Sequence, residues 1–187
     1  MAYLNQSELT LIGFKFLGEN VKISSKAAIY NADLIEIGDN SRIDDFCVIS
    51  GKVTIGRNVH VAPHCLIAGG DLGVTLEDFS GLAYFVQVFS QSDDYSGRTM
   101  TNPTVPANFK EEKKSPVHIG RHVIVGASSI IFPGVTVSEG CSVGAMSLVH
   151  KNTEPWGIYV GNPARRVKSR SSDLLALEAK LLEAEGK

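Results

Sequence analysis

The side chains best suited to chemistry in this 187-residue chain are a histidine beside an aliphatic position, an aspartate pair in a polar stretch, and a short basic run. His60 immediately precedes Val61, one of a regular aliphatic series, so its side chain is expected to point away from the core. An imidazole with a pKa of about 6.5 can take a hydroxyl proton at neutral pH. Asp93 and Asp94, in Gln91-Ser92-Asp93-Asp94-Tyr95, can orient that histidine and stabilise its protonated form. The same segment can read a sugar ring through hydrogen bonds and stacking by Tyr95. If the acceptor is an amine, its own lone pair attacks and Asp93 or Asp94 need only orient it. Plainer roles stay open: an exposed or interface histidine, and Asp and Ser as turn formers.

The elements that must position these groups follow from a six-residue period. Ile37, Ile43, Ile49, Ile55, Val61 and Ile67 form one series, and Ile119, Val125, Ile131, Val137, Val143 and Val149 a second. Leu76, Leu82 and Val88 keep the step between them. A helix of 3.6 residues or a strand alternating by two does not explain a period of six, whereas a solenoid with one short strand and one turn per hexad does. Three hexads make a triangular coil, and stacked coils bury a continuous aliphatic column. The expected fold is an all-β solenoid, a left-handed parallel β-helix. A short helix in residues 1–20 precedes the solenoid of residues 21–168, and an amphipathic helix lies in 169–187, carrying Leu174, Leu175, Leu177, Leu181 and Leu182. Ile23, Ile29 and Ile35 form an early coil, and a two-residue slip then brings Ile37 into register. The chain is expected to leave the prism after Trp156. Residues 89–117, rich in Ser, Asp, Asn, Pro and charge, read as an excursion loop, after which the period resumes in phase.

Counting faces places Val61, Leu82, Val125 and Val143 on one side of the prism. Gly126-Ala127 and Gly144-Ala145 then stack at a corner with almost no side chain over the backbone. Such a corner can receive an extended ligand, or can simply need small residues. His64 falls near the same corner and is a candidate to line the site, while His118 and His122 are expected to face solvent. Arg165, Arg166, Lys168 and Arg170 are either a solvated strand end or an anion site. Cys47, Cys65 and Cys141 each fall two residues before a core position, which reads as buried free thiols. The histidines show no spacing that maps onto a three-histidine zinc site, so no metal is expected.

Length and composition agree with one soluble globular domain with small appendages. Hydrophobic residues make up 43% and charged residues 20%, and the net charge of −2 with no long basic stripe argues against a nucleic-acid partner. No apolar run approaches the ~20 residues needed to cross a bilayer, and the first residues lack a charged and then apolar signal, so a cytoplasmic location is expected.

Ile-Gly-Arg-Asn-Val (55–59), Ile-Gly-Arg-His-Val (119–123) and Val-Gly-Asn-Pro-Ala (160–164) resemble the signatures of the hexapeptide-repeat acyltransferases over about residues 20–168. The likeness points towards the maltose/galactoside O-acetyltransferase branch and the acetyltransferases of surface polysaccharide and lipopolysaccharide biosynthesis. It implies acetyl-CoA as donor, a sugar acceptor, and a homotrimer with sites between prisms. By the same resemblance, Gly126, Ala127, Gly144 and Ala145 lie along the pantetheine arm, and His150 and Lys151 near the nucleotide end. Arg165 and Arg166 meet the phosphates. The sequence departs from that family at its loop histidine: no histidine occurs from 65 to 117, and Asp93 holds the corresponding place. His60 falls where the family has an active-site tyrosine, which makes it the expected base for O-acetylation. The alternatives are N-acetylation of a nucleotide-linked amino sugar, a non-catalytic carbohydrate-binding scaffold, or a metal-dependent hydratase.

Overall fold

A computed structural model describes residues 2–186 as a parallel β-helix of about seven turns with a helix at each end. The short strands fall into three parallel sheets, the faces of a prism. The first face runs Phe16–Leu17, Ile35–Ile37, Val53–Ile55, Val74–Leu76, Val117–Ile119 and Thr136–Val137. The second runs Lys22–Ile23, Arg42–Ile43, His60–Val61, Gly81–Leu82, Ile124–Val125, Ser142–Val143 and Gly157–Val160, and is extended by Arg165–Ser169. The third runs Ala28–Tyr30, Val48–Ser50, Leu66–Ala68, Gln87–Phe89, Ile130–Ile131 and Leu148–Val149.

The hexad residues stack directly. Ile37 pairs with Ile55, Ile55 with Leu76, Leu76 with Ile119 and Ile119 with Val137. All the leaders of the two main series and the three between them are buried to 2% exposure or less. Each such aliphatic side chain removed from water contributes about 1.5–3 kcal/mol, so the column itself holds the coils together. The three cysteines lie in that column as buried free thiols, Cys47 donating to the Ala62 carbonyl and Cys65 to that of Ala83.

Departures from the regular coil sit where the period slipped. Leu17 pairs with Ile37, and the two extra residues are taken up by a 3-10 turn, Ala32–Leu34, after left-handed Asn31. Ile35 therefore packs two positions before its leader, opposite Val53. The chain also stays on the prism past Trp156: Gly157–Val160 pairs with Ser142–Val143, and the strand Arg165–Ser169 then returns antiparallel. The first-face corners are turned by left-handed Asn20, Asn40 and Asn58, a residue that tolerates that region.

The helix α1 (Gln6–Ile12) is capped by Asn5 and Glu8 in a capping box and ended by left-handed Gly13. At the other end α2 (Leu174–Ala184) lies on its own prism, with Glu178 on Arg121 and His122 and Glu185 on Arg57. Among the described residues no helix is long and apolar enough to cross a membrane.

Candidate active site

The excursion is an ordered arm. Gln91–Ser92 pairs antiparallel with Lys113–Lys114, and Lys114 ties the arm to the prism through Asp71 at 2.9 Å. Asp93, Asp94 and Tyr95 line one cavity of ≈ 490 Å³, with Arg98, Glu112 and Phe132 on its walls. The two aspartates differ in what holds them. Asp94 accepts from the Ser96 amide at 2.9 Å and the Ser96 hydroxyl at 2.8 Å, with the Thr99 hydroxyl at 3.4 Å. These bonds, the Ser96 amide first, hold its carboxyl below the usual range. Among the described residues Asp93 receives only the Asn102 amide, 3.3 Å from each oxygen, so its carboxylate keeps most of its accepting capacity.

His60 is on the second face and meets neither aspartate. Its Nε2 lies 2.8 Å from Asp44 Oδ2, and Arg42 Nη2 lies 3.0 Å from that same oxygen. Asp44 is 1% exposed and its other oxygen accepts from Tyr3. Within one chain the expected Asp93/Asp94–His60 pairing does not form and Asp44 holds His60 instead, because the loop leaves the prism from the third face while Asp44 sits one coil from His60. The coil length carried the missed signal: Arg42 is eighteen residues before His60 and pairs directly with it. His60 lines a groove of ≈ 620 Å³ between the second face, where Gly81 leaves its floor bare, and the leucines of α2.

His64 lies at the next corner, stacked between Phe46 and Phe85 at centroid separations of 5.0 and 4.6 Å. His118 faces outward with Glu77 at 2.9 Å. The expectation that His122 faces solvent is corrected: it occupies a left-handed corner, is 8% exposed, stacks on Phe79 and bonds Glu178 at 2.9 Å. The corner position turns the ring under α2.

Small residues do stack at one corner, and four basic residues gather in a cleft. Gly126 and Gly144 follow paired strands, and the Met146 amide donates to the Ala127 carbonyl at 2.8 Å. A Cβ on Gly126 would stand 2.5 Å from the Ala145 nitrogen, so the close approach of the next coil is what demands glycine there. Ala127 and Ala145 follow with only a methyl group each. His150, Lys151, Arg165 and Arg166, all exposed, line one cleft of ≈ 380 Å³ with Asn152 and Tyr159. Arg170 is not part of that set: its guanidinium caps the carbonyls of His122, Gly140 and Cys141. The three cavities around Asp93, His60 and Arg166 are separate within one chain.

Residues 35–69 match the family described as bacterial transferase hexapeptide (six repeats). Over 182 residues, 96% of this chain and 94% of the relative, the sequence is 43% identical to the dTDP-4-amino-4,6-dideoxy-D-glucose acyltransferase of Escherichia coli. The structure superposes on AntD, an N-acyltransferase from Bacillus cereus solved with dTDP and 3-hydroxybutyryl-CoA, with a TM-score of 0.97 and 44% identity over 99% of this chain and 98% of that one. Another AntD structure, a serine variant, holds dTDP-4-amino-4,6-dideoxyglucose and coenzyme A. A maltose O-acetyltransferase from Clostridium difficile shares the fold with a TM-score of 0.59 and 22% identity, covering 89% of this chain and 75% of that one. These likenesses overturn the expected O-acetyltransferase of the maltose/galactoside branch, since identity across the full length lies with N-acyltransferases. The chain belongs to the hexapeptide-repeat acyltransferases, among the relatives of the dTDP-amino-sugar N-acyltransferases.

Proposed function

We propose that this protein transfers an acyl group from a coenzyme A thioester to the amino group of a dTDP-linked 4-amino-4,6-dideoxyhexose. Likeness along nearly the whole chain, at 43% and 44% identity, to two enzymes of that chemistry carries the reading. The donor is an acyl-CoA whose acyl group is acetyl or a short hydroxyacyl. The neutral amine attacks the thioester carbonyl, the C–N bond forms as the C–S bond breaks, and coenzyme A leaves as its thiolate. The proton released from nitrogen needs only a weak base, which agrees with the absence of a loop histidine.

Asp93 is the group assigned to that proton, because Asp94 is occupied by Ser96 and Thr99. The pantetheine arm lies along Ala127 and Ala145 beside Gly126 and Gly144, and the cleft of His150, Lys151, Arg165 and Arg166 receives the phosphates, where bidentate guanidinium contacts suit them. Separate cavities for the loop aspartates and the basic cleft within one chain favour an assembly in which neighbouring prisms complete each site, a trimer. A second reading keeps His60 as the proton acceptor, favoured by the contacts that hold its ring in the groove, with Nε2 2.8 Å from Asp44 Oδ2 and 2.9 Å from Arg42 Nη2. The pH dependence of kcat/KM in Asp93→Asn and His60→Ala separates them: the variant that removes the acidic limb marks the base.

A further inference from the structure

The corner between the second and third faces carries one left-handed residue per coil, three positions after each buried leader of the second face. From the second coil upward these are Phe46, His64, Phe85, Ser128 and Met146, at φ 61°, 64°, 61°, 60° and 56°. Their amides form one ladder: His64 donates to Asp45 at 3.0 Å, Phe85 to Pro63 at 3.2 Å, Ser128 to Tyr84 at 2.9 Å and Met146 to Ala127 at 2.8 Å. The ladder fixes the height of all five side chains, one rung per coil at about 4.8 Å. The first three are rings and stack, with interplanar angles of 22° and 5°. At Ser128 a hydroxymethyl group stands where the next ring would lie.

The rung above Phe85 is therefore missing. About 10 Å, two coil spacings, separates the levels of Phe85 and Met146. A flat ring in contact on both sides needs about 3.5 Å on each. Phe85 is 53% exposed, Met146 77% and the neighbouring Tyr84 57%, so the gap opens to the surface beside the Ala127–Ala145 corner. The residues at its three levels are a phenylalanine below, a serine between and a methionine above, types that suit a heteroaromatic ring and supply no charge for a phosphate.

We propose that this missing rung seats a nucleobase, which continues the Phe46–His64–Phe85 stack beneath Met146. The inference rests on the reading above that both reactants carry nucleotides, and the base comes either from the acceptor (a pyrimidine) or from coenzyme A (adenine). Stacking on an aromatic face tolerates either, because each base has a π-face.

Ser128→Phe supplies the rung from the chain itself, and Phe46 and Phe85 already hold a phenylalanine at the same φ. Calorimetry with dTDP and, separately, with coenzyme A on wild type and variant reads the result. The expected outcome is a loss on the order of tenfold or more for one ligand and less than twofold for the other. A loss for dTDP assigns the acceptor's base, and a loss for coenzyme A assigns adenine. Phe85→Leu, which removes the floor without filling the gap, is expected to weaken the same ligand. If neither ligand weakens, if both weaken equally, or if the native mass changes, the rung serves something else and the proposal is overturned. A wild type that binds neither ligand defeats the functional reading itself, whereas tight binding untouched by Ser128→Phe defeats only the nucleobase seat.

Discussion

His60 Nε2 and Asp44 Oδ2 are 2.8 Å apart, although sixteen residues separate them in sequence. The carboxylate is 1% exposed and the imidazole reaches into the groove beneath α2, so a buried charge sets the orientation of an exposed ring. For an amine acceptor this pair is dispensable to the chemical step in the leading account. His60→Ala is expected to keep kcat within about fivefold of wild type, while Asp93→Asn lowers it by roughly 10²-fold or more, in the range of general-base catalysis. Steady-state kinetics on both variants at a fixed pH checks this.

Asp94 gives the arm a pH dependence with a defined sign. Its carboxyl is held below the ordinary value of 3.8 by the Ser96 amide and hydroxyl. A depressed folded pKa contributes order that is fully present above pH 3.8 and is lost as pH falls through the folded value. Protection of the Ser96 amide, from exchange corrected for intrinsic rates, is expected to hold above pH 4 and to fall below it, and Asp94→Ala should exchange faster than wild type above pH 4 with the two converging at low pH.

The corner glycine makes a prediction about stability alone. Gly126→Ala places a Cβ against backbone of the next coil, which cannot rotate away. Overpacking of this kind costs about 1–3 kcal/mol. Denaturant unfolding should show a lower midpoint with unchanged slope.

The basic cleft predicts a donor effect without an acceptor effect. Arg165→Ala with Arg166→Ala removes two exposed guanidinium groups from the cleft while leaving Arg170 on its three carbonyls. The KM for acyl-CoA is expected to rise about tenfold or more, and to become less sensitive to added salt, because screened charge contacts are lost. An unchanged KM would remove the phosphates from this cleft.

Much of this architecture was legible from spacing because a solenoid repeats its environment. Once three hexads make a coil, Val61, Leu82, Val125 and Val143 must share a face, and Cys47 must lie under Cys65. The Gly-Ala corner follows from the same arithmetic, whereas the basic residues of the terminal coil stand out as a run in the sequence and take their place from the family resemblance. What broke the period was not legible: the arm of residues 91–114 is held by Lys114–Asp71 and by side-chain turns around Asp94, contacts that no period encodes. His122 was misplaced because its αL corner turns the ring under α2, whose docking depends on Glu178 fifty-six residues away. The acceptor was misread for a different reason. A maltose O-acetyltransferase shares this coil at only 22% identity, so the six-residue period is common to O- and N-acyltransferases and does not separate them.

The most direct test of the central claim compares two acceptors that differ in one atom. Purified protein would be given acyl-CoA with dTDP-4-amino-4,6-dideoxyglucose or with dTDP-6-deoxyglucose, which carries a hydroxyl at the same carbon, and thiol release followed. Rapid release with the amine, and release at least 10³-fold slower with the hydroxyl, is the expected result. Equal turnover of both, or turnover of maltose in preference to either, would contradict the assignment of an amino-sugar N-acyltransferase.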